Sequence, residues 1–339
     1  SWLEKDRLID KEGTALVVIL NSPGCKAAQS DMGGCSMCGY SNDTSEKIEP
    51  QQLIQQMKTA LDKFAEKSFQ SVKIFTSGSF LDPEEIPLEA QKEILVLLAK
   101  IKDVSEIIIE TRPEFVNSTA LENSKACLSG EQTLELGIGL ESSNDYIRLN
   151  HINKGFTFKQ FREAVSIGQE YDIRIKSYIL LKPPFLTEKE AIADAEQSII
   201  DAIKAGSRSI SLNPVNIQNG TLVYQLWRAG LYRSPWFWSV RETIQKVFKR
   251  LNSEGLEDAV DRILCAPSGA GTIRGVHNCK ECNSDFSRDL QDYSLHQDPT
   301  LLDQTFCLCY QTWKYMLEYE TATRDLSLNR LENLNKTFH

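Results

Sequence analysis

The chain has 339 residues, with 38 Lys and Arg against 47 Asp and Glu, for a formal charge of −9. Hydrophobic residues at 41% and charged residues at 25% are ordinary globular usage, which excludes collagen, coiled coil and wholesale disorder. No apolar run approaches the roughly 18 residues of a membrane span, and Glu4, Lys5, Asp6 and Arg7 interrupt any signal-like start, so a cytoplasmic protein with no membrane attachment is expected.

In chain order, the first apolar run predicts a strand over 15–21, followed by an amphipathic helix over 50–68. Strand 72–76, helix 88–101, and strands 106–110 and 134–140 come next. Helix 157–171, strand 174–181, helix 187–205 and strand 209–213 complete the rhythm. Strands alternating with helices read as βα units on a parallel sheet. Six units fall short of the eight of a closed TIM barrel, which predicts an open, partial (β/α)6 barrel; a doubly wound sheet is the alternative. Beyond residue 220 the pattern changes to an aromatic segment over 227–238, a helix over 240–252 and a cysteine-rich tail from Cys265 to Cys309. A boundary near 255 divides a barrel over 1–255 from a cysteine-rich metal-binding region over 256–339.

Parallel-sheet proteins place their chemistry at the carboxyl ends of strands. Polar motifs stand at those ends here: Asn21-Ser22-Pro23-Gly24-Cys25, Thr76-Ser77-Gly78-Ser79, Glu110-Thr111-Arg112-Pro113, Gly139-Leu140-Glu141-Ser142 and Asn213-Pro214.

Nine cysteines, an odd number with no secretion signal, argue for metal or redox use over a disulfide framework. Cys25, Cys35 and Cys38 form a C-x9-C-x2-C cluster directly after the first strand. Three thiolates do not complete a four-ligand site, whereas a [4Fe–4S] cluster on three protein ligands keeps one iron open. A zinc knuckle and three structural thiols are the other readings. Gly24, Gly33, Gly34 and Gly39 let this loop wrap closely.

The cysteine loop, Thr76-Ser77-Gly78-Ser79, Ile109-Glu110-Thr111-Arg112-Pro113 and Glu135-Leu136-Gly137-Ile138-Gly139-Leu140-Glu141 resemble the radical S-adenosylmethionine (SAM) superfamily. The long first cysteine spacing is similar to that of the elongator catalytic subunit. Gly78-Ser79-Phe80-Leu81-Asp82, His151-Ile152-Asn153-Lys154-Gly155, Asn213-Pro214-Val215 and His277-Asn278-Cys279 extend the resemblance to the archaeosine synthase radical SAM subunit family, over about residues 15–315. Met37 stands where the superfamily commonly has an aromatic residue, and Thr76-Ser77-Gly78-Ser79 replaces its glycine–glycine–acid strand end.

The resemblance implies that the open iron chelates the amino and carboxylate groups of SAM and that an electron donor reduces the cluster. A 5′-deoxyadenosyl radical then abstracts a hydrogen atom, so the cofactor carries the hard chemistry. It implies as substrate a tRNA with a lysine-modified 7-deazaguanine in its D-loop, cleaved at a C–N bond to give archaeosine, and as partner the subunit that attaches the lysine. The acidic balance fits a chain that relies on a partner for tRNA phosphate contacts. Ser79 is the candidate for the methionine moiety of SAM, and Glu110 and Glu141 for its ribose hydroxyls or amine. Arg112 or Lys176 is the candidate for its carboxylate, and Asn213 for its adenine or ribose. Lys182 and His151 read as ordinary surface or loop residues. The alternatives are a radical SAM enzyme acting on another tRNA base, as elongator-like relatives do, and a non-catalytic metal-binding scaffold.

Cys279, Cys282, Cys307 and Cys309 form two close pairs that suit a closed structural zinc site, with His277 and Cys265 as possible substitutes; a second cluster and buried thiols are the other readings. Cys127, alone in a predicted helix, reads as core. Trp227, Tyr232, Trp236, Phe237 and Trp238 read as packing between tail and barrel, with base stacking beside Arg228, Arg233 and Arg241 as the alternative.

Overall fold

The computed structural model describes residues 1–31, 33–40, 44 and 48–337, with side chains as far as 324. Its eight strands form one sheet whose spatial order is the chain order. The hairpin strand β1 (Trp2–Arg7) runs antiparallel to β2 (Glu12–Ile19). Parallel to β2 follow β3 (Ser71–Phe75), β4 (Glu106–Thr111), β5 (Thr133–Glu141), β6 (Arg174–Leu181), β7 (Ser209–Pro214) and β8 (Arg262–Leu264). The six expected strands are β2 to β7. A doubly wound sheet reverses its strand order at a switch point; this sheet never does, and it curls as an open half-barrel. The strand β8 lies beyond residue 255 and yet pairs with β7, so the sheet continues past the expected boundary.

Helices return the chain between strands. A single turn, α1 (Lys26–Gln29), lies in the cysteine loop, and α2 (Pro50–Lys63), α3 (Leu88–Ala99), α4 (Ser118–Lys125), α5 (Phe158–Glu170) and α6 (Glu188–Ala205) follow. Their starts are written locally. Pro50 opens α2, while Thr157 with Gln160 and Thr187 with Glu190 form reciprocal capping boxes that satisfy the free N–H groups of α5 and α6. After β7 come α7 (Leu222–Arg228) and α8 (Phe237–Glu254), then the tail helices α9 (Asn283–His296) and α10 (Cys309–Thr337).

Alternation along the strands separates two environments. Leu16, Val18, Val72, Ile74, Ile107, Ile109, Leu136 and Ile138 are buried against the helices. The opposite face lines the lumen with Asp6, Lys73, Glu106, Glu135, Lys176 and Arg262, all buried. Arg262 plugs the lower end: its guanidinium lies 2.9 Å from Glu106 and 2.7 Å from Glu135, and donates to Ser209 Oγ and Arg7 O. Burial alone would raise the Glu135 pKa, but the charges of Arg262 and Lys176 hold it below its ordinary value. Phe286, Tyr293, Leu302 and Trp313 of the tail enter the same apolar core as the barrel helices.

Candidate active site

The cysteine loop leaves β2 at the mouth of the half-barrel. Ser36, between Cys35 and Cys38, donates from its backbone N–H to Ile152 O (2.8 Å) and from its hydroxyl to His151 O (2.7 Å). Gly39 N–H donates to Gln218 Oε1, and Ser36 O accepts from Val223 N–H, so the loop is held from the segments after β5 and β7. Met37 and Cys35 pack against a small apolar cluster of Ile147, Ile152, Leu180, Val215, Ile217, Val223 and Tyr232. An aliphatic side chain thus fills the place before the third cysteine. Gly78 presses against the loop, because a Cβ there would lie 2.6 Å from Cys25 Cα. Burial pushes the Cys38 thiol up to about 11 and raises that of Cys35, whose surroundings include Lys154, Glu141, Arg112 and Cys25. Buried thiols of raised pKa become thiolates when a cation takes the proton's place.

Five of the six proposed SAM-contact residues lie at strand ends around this loop. Ser79 is buried, its hydroxyl 2.7 Å from that of Thr111 and its N–H donating to Glu85 Oε2. Glu110 points into the lumen, where Tyr178 donates to it, and burial pushes its carboxyl up to about 8. Arg112 pairs with Glu114 at 2.5 Å and donates to Lys154 O at 3.1 Å. Glu141, with φ of 64°, pairs with Lys154 at 2.8 Å. Asn213 accepts from Ser211 Oγ. Lys176 lies deeper, as the third residue of β6. Burial and then the charges of Lys73 and Arg262 lower its pKa to about 8, and its ammonium stands 5.9 Å from the Tyr178 ring.

Three further residues of the mouth escaped sequence reasoning. Glu85 returns from the loop after β3 to accept from Ser22 Oγ (2.6 Å) and Ser79 N–H, placing a carboxylate where the strand itself has none. Tyr178 reaches Glu110 from the neighbouring strand but one. Lys154 lies within the quoted His151–Gly155 motif, the signal that would have found it. Burial would lower its pKa, but Glu141 and then Cys35 hold it raised.

Lys182, expected at the surface, is buried, and its ammonium forms an ion pair with Glu188 at 2.5 Å beneath the mouth. His151 ends a π-helical turn over Ile147–His151. Tyr232, Trp236, Phe237 and Trp238 are buried, which leaves them to packing; Arg233 and Arg241 lie against Trp236 and Trp238. Cys127 is half-buried beside α4.

In the tail, the sulfurs of Cys279, Cys282, Cys307 and Cys309 all lie within 4.8 Å of one another, the only such metal-ligand group among the described residues. The Sγ–Sγ separations are 3.6 Å (Cys279–Cys282), 3.5 Å (Cys279–Cys307) and 3.7 Å (Cys282–Cys309). Trp238 Nε1 donates to Cys309 Sγ at 3.3 Å. Neither His277, whose Nδ1 meets Gly275 O, nor Cys265 belongs to the group.

No family model matches the sequence. Among solved structures, the fold is similar to an archaeal Elp3 from Methanocaldococcus infernus, with TM-score 0.55 and 14% identity over 83% of this chain and 64% of that one. Among curated proteins, archaeosine synthase subunit beta of Methanosarcina acetivorans is 40% identical, covering 95% of this chain and 90% of the relative. The protein of the same name from Thermococcus kodakarensis is 35% identical over 94% and 96%. The chain shares its half-barrel fold with the archaeal Elp3 and therefore, on the identity to these relatives, belongs to the archaeosine synthase subunit beta family.

Proposed function

We propose that this chain is the radical-generating subunit of a tRNA-modifying enzyme, and that it converts lysine-modified 7-deazaguanine in the D-loop to archaeosine by C–N bond cleavage. The observation that carries the reading is the half-buried three-cysteine loop at the barrel mouth, faced by Lys154, Glu141 and Arg112. The donor set suits a [4Fe–4S] cluster on Cys25, Cys35 and Cys38: the three thiols share one loop but do not gather within the 4.8 Å of the tail group, as thiolates on different irons would not. With SAM and an external one-electron donor, that cluster would supply the hydrogen-abstracting radical.

The chain's own residues bind and orient. Lys154 is the best-placed cation for the SAM carboxylate, since it is already drawn towards Cys35 and Glu141. Glu141, beside Cys35, and Glu85, beside Gly78 and Cys25, are acceptors close to the loop for an amine or ribose hydroxyl. Glu110, protonated at neutral pH, presents a hydroxyl-bearing acid to the lumen, and Tyr178 fixes its position. Lys176 serves better as the lumen's internal charge than as a SAM contact, because its surroundings are the lower charged layer. Ser79 and Asn213 shape the walls.

We also propose zinc on the four tail cysteines. A tetrahedron with Zn–S of about 2.3 Å has S···S edges of about 3.8 Å, close to the 3.5–3.7 Å observed. The Trp238 N–H to Cys309 supplies the outer hydrogen bond such thiolates accept. The name of the relatives, a subunit beta, supports a partner subunit, to which we assign the attachment of the lysine.

The test is anaerobic incubation of the chain and its partner with SAM, reductant and lysine-modified tRNA, followed by nucleoside mass spectrometry. Archaeosine with matching 5′-deoxyadenosine is expected. 5′-Deoxyadenosine without archaeosine would move the chain to another substrate, and absence of both would remove the radical reading.

A further inference from the structure

Three rings stand in a row on the rim of the barrel mouth. Tyr146, after β5, is 67% exposed and Phe185, after β6, is 58% exposed. The His151 ring lies between them, edge-on to both, with centroids 5.5 Å from Tyr146 and 5.7 Å from Phe185. Single exposed apolar side chains are common, but adjoining exposed rings beside a reaction centre point to a ligand.

The loop that carries Phe185 is built to hold the ring out. Phe185 has φ of 70° and Lys182 of 68°, left-handed values that bulky side chains adopt only at a cost in strain. Pro183 and Pro184 between them fix their own φ angles. From below, Tyr232 donates to Lys182 O at 2.6 Å, and the Lys182–Glu188 ion pair closes the base. The strain therefore displays the ring to solvent, where it gains no burial.

The row is continuous with the cysteine loop, because the carbonyl of His151 itself accepts the Ser36 hydroxyl. The charged side chains described beside it stand in ion pairs. Arg148 pairs with Asp145 beside Tyr146, and Glu188 pairs with Lys182 beneath Phe185. Neither pair offers a free cation to a phosphate chain, whereas a nucleobase stacks through its neutral face.

We infer that Tyr146 and Phe185 form a stacking platform for an unpaired base of the RNA substrate, next to the nucleotide presented to the cysteine loop, with His151 as the buttress between them. This rests on the tRNA reading proposed above. It also explains how a chain of charge −9 contacts RNA at its own reaction centre while phosphate neutralisation comes from elsewhere.

The experiment uses the full chain with its partner subunit under anaerobic conditions, and lysine-modified tRNA as the probe. Tyr146→Ala combined with Phe185→Ala is expected to raise KM for tRNA roughly ten-fold. Tyr146→Phe and Phe185→Trp, which keep the rings, are expected to stay near wild type. The Phe185→Trp variant adds a direct readout: its emission should be quenched by tRNA and not by the partner alone. Matching melting temperatures will show that the alanine variant is folded, as two exposed rings allow. An unchanged KM in that variant, or quenching by the partner without RNA, would overturn the platform, the latter in favour of a protein interface. If wild-type protein makes 5′-deoxyadenosine but does not engage tRNA, the RNA reading itself fails, a result distinct from loss in the variants alone.

Discussion

Lys154 Nζ reaches Glu141 Oε1, 2.8 Å away, by crossing the backbone of Gly139, where a Cβ would stand 2.5 Å from that nitrogen. The glycine in Gly-x-Gly-x-Glu is thus the space through which the ion pair forms beneath the cysteine loop. Both atoms a Cβ would meet are ends of flexible side chains, so the strand can absorb Gly139→Ala while the pair cannot. We expect a stability change of about 1 kcal/mol or less and SAM binding weakened roughly ten-fold. Titration calorimetry of the reconstituted protein measures the second quantity; wild-type affinity would show that Lys154 and Glu141 are mere scaffolding.

Glu110 sets a pH dependence of known sign. Its folded pKa of about 8 lies above the ordinary 4.5, chiefly through burial and against the hydrogen bond from Tyr178. The fold therefore favours the protonated acid. That contribution is fully present below about pH 4.5 and is lost as pH rises through 8. Glu110→Gln cannot ionise, so its stability relative to wild type should improve across this window. We expect about 2 kcal/mol, less than the full shift would give, because Glu110 is only half-buried. Urea midpoints at pH 5 and pH 8.5 decide it: a pH-independent difference would mean that Glu110 is ionised throughout.

The two sets of cysteines should separate cleanly. Cys25→Ala, Cys35→Ala or Cys38→Ala is expected to abolish iron content and turnover with the melting temperature nearly unchanged. Cys282→Ser should instead release the zinc proposed there and lower stability by several kcal/mol, because metal affinity at a closed site is folding free energy. Metal analysis and thermal melts on the same preparations test both. Iron lost from the tail variant at wild-type stability would undo the division.

Arg262 is fully buried and bonded to Glu106 and Glu135. Arg262→Met removes the cation and leaves two carboxylates buried without it. A cost of about 3–5 kcal/mol is expected, since breaking a buried pair strands the other charge. Denaturant unfolding measures it, and a cost below about 1 kcal/mol would show that water already hydrates the lower lumen.

Much of this molecule could be read in the sequence because local signals agree with one another. The runs that became β2 to β7 are apolar on the helix-facing side, and the helices carry their own capping residues. Three features had no such signal. The strand β8 is a three-residue element, Arg262–Leu264, held by its neighbour and by Arg262, and nothing in so short a run announces a strand. The charges that line the lumen alternate with apolar residues, so each reads as solvent-facing until the sheet curls and brings Asp6, Lys73 and Arg262 together. Lys176 shows the difficulty: its residue type suited a carboxylate partner, but its place near the start of β6 sets it below the mouth. Glu85 and Tyr178 enter the site from a loop and from a strand interior, positions that only the three-dimensional path reveals. The aromatic segment over 227–238 has the composition of a nucleic-acid surface, yet four of its rings are buried, while the exposed rings flanking His151 sit singly in sequence at Tyr146 and Phe185.

The staples on Ser36 also bear on biogenesis. Cys25, Cys35 and Cys38 leave the ribosome early, whereas Ile152, Gln218 and Val223, which seat their loop, follow up to nearly two hundred residues later. At ordinary elongation rates that interval is roughly 10–40 s, during which the thiols are exposed and open to oxidation. Loading of the proposed cluster is therefore expected to follow release or near-completion of the chain, and overproduction in air should yield protein whose fold is intact and whose loop is already oxidised.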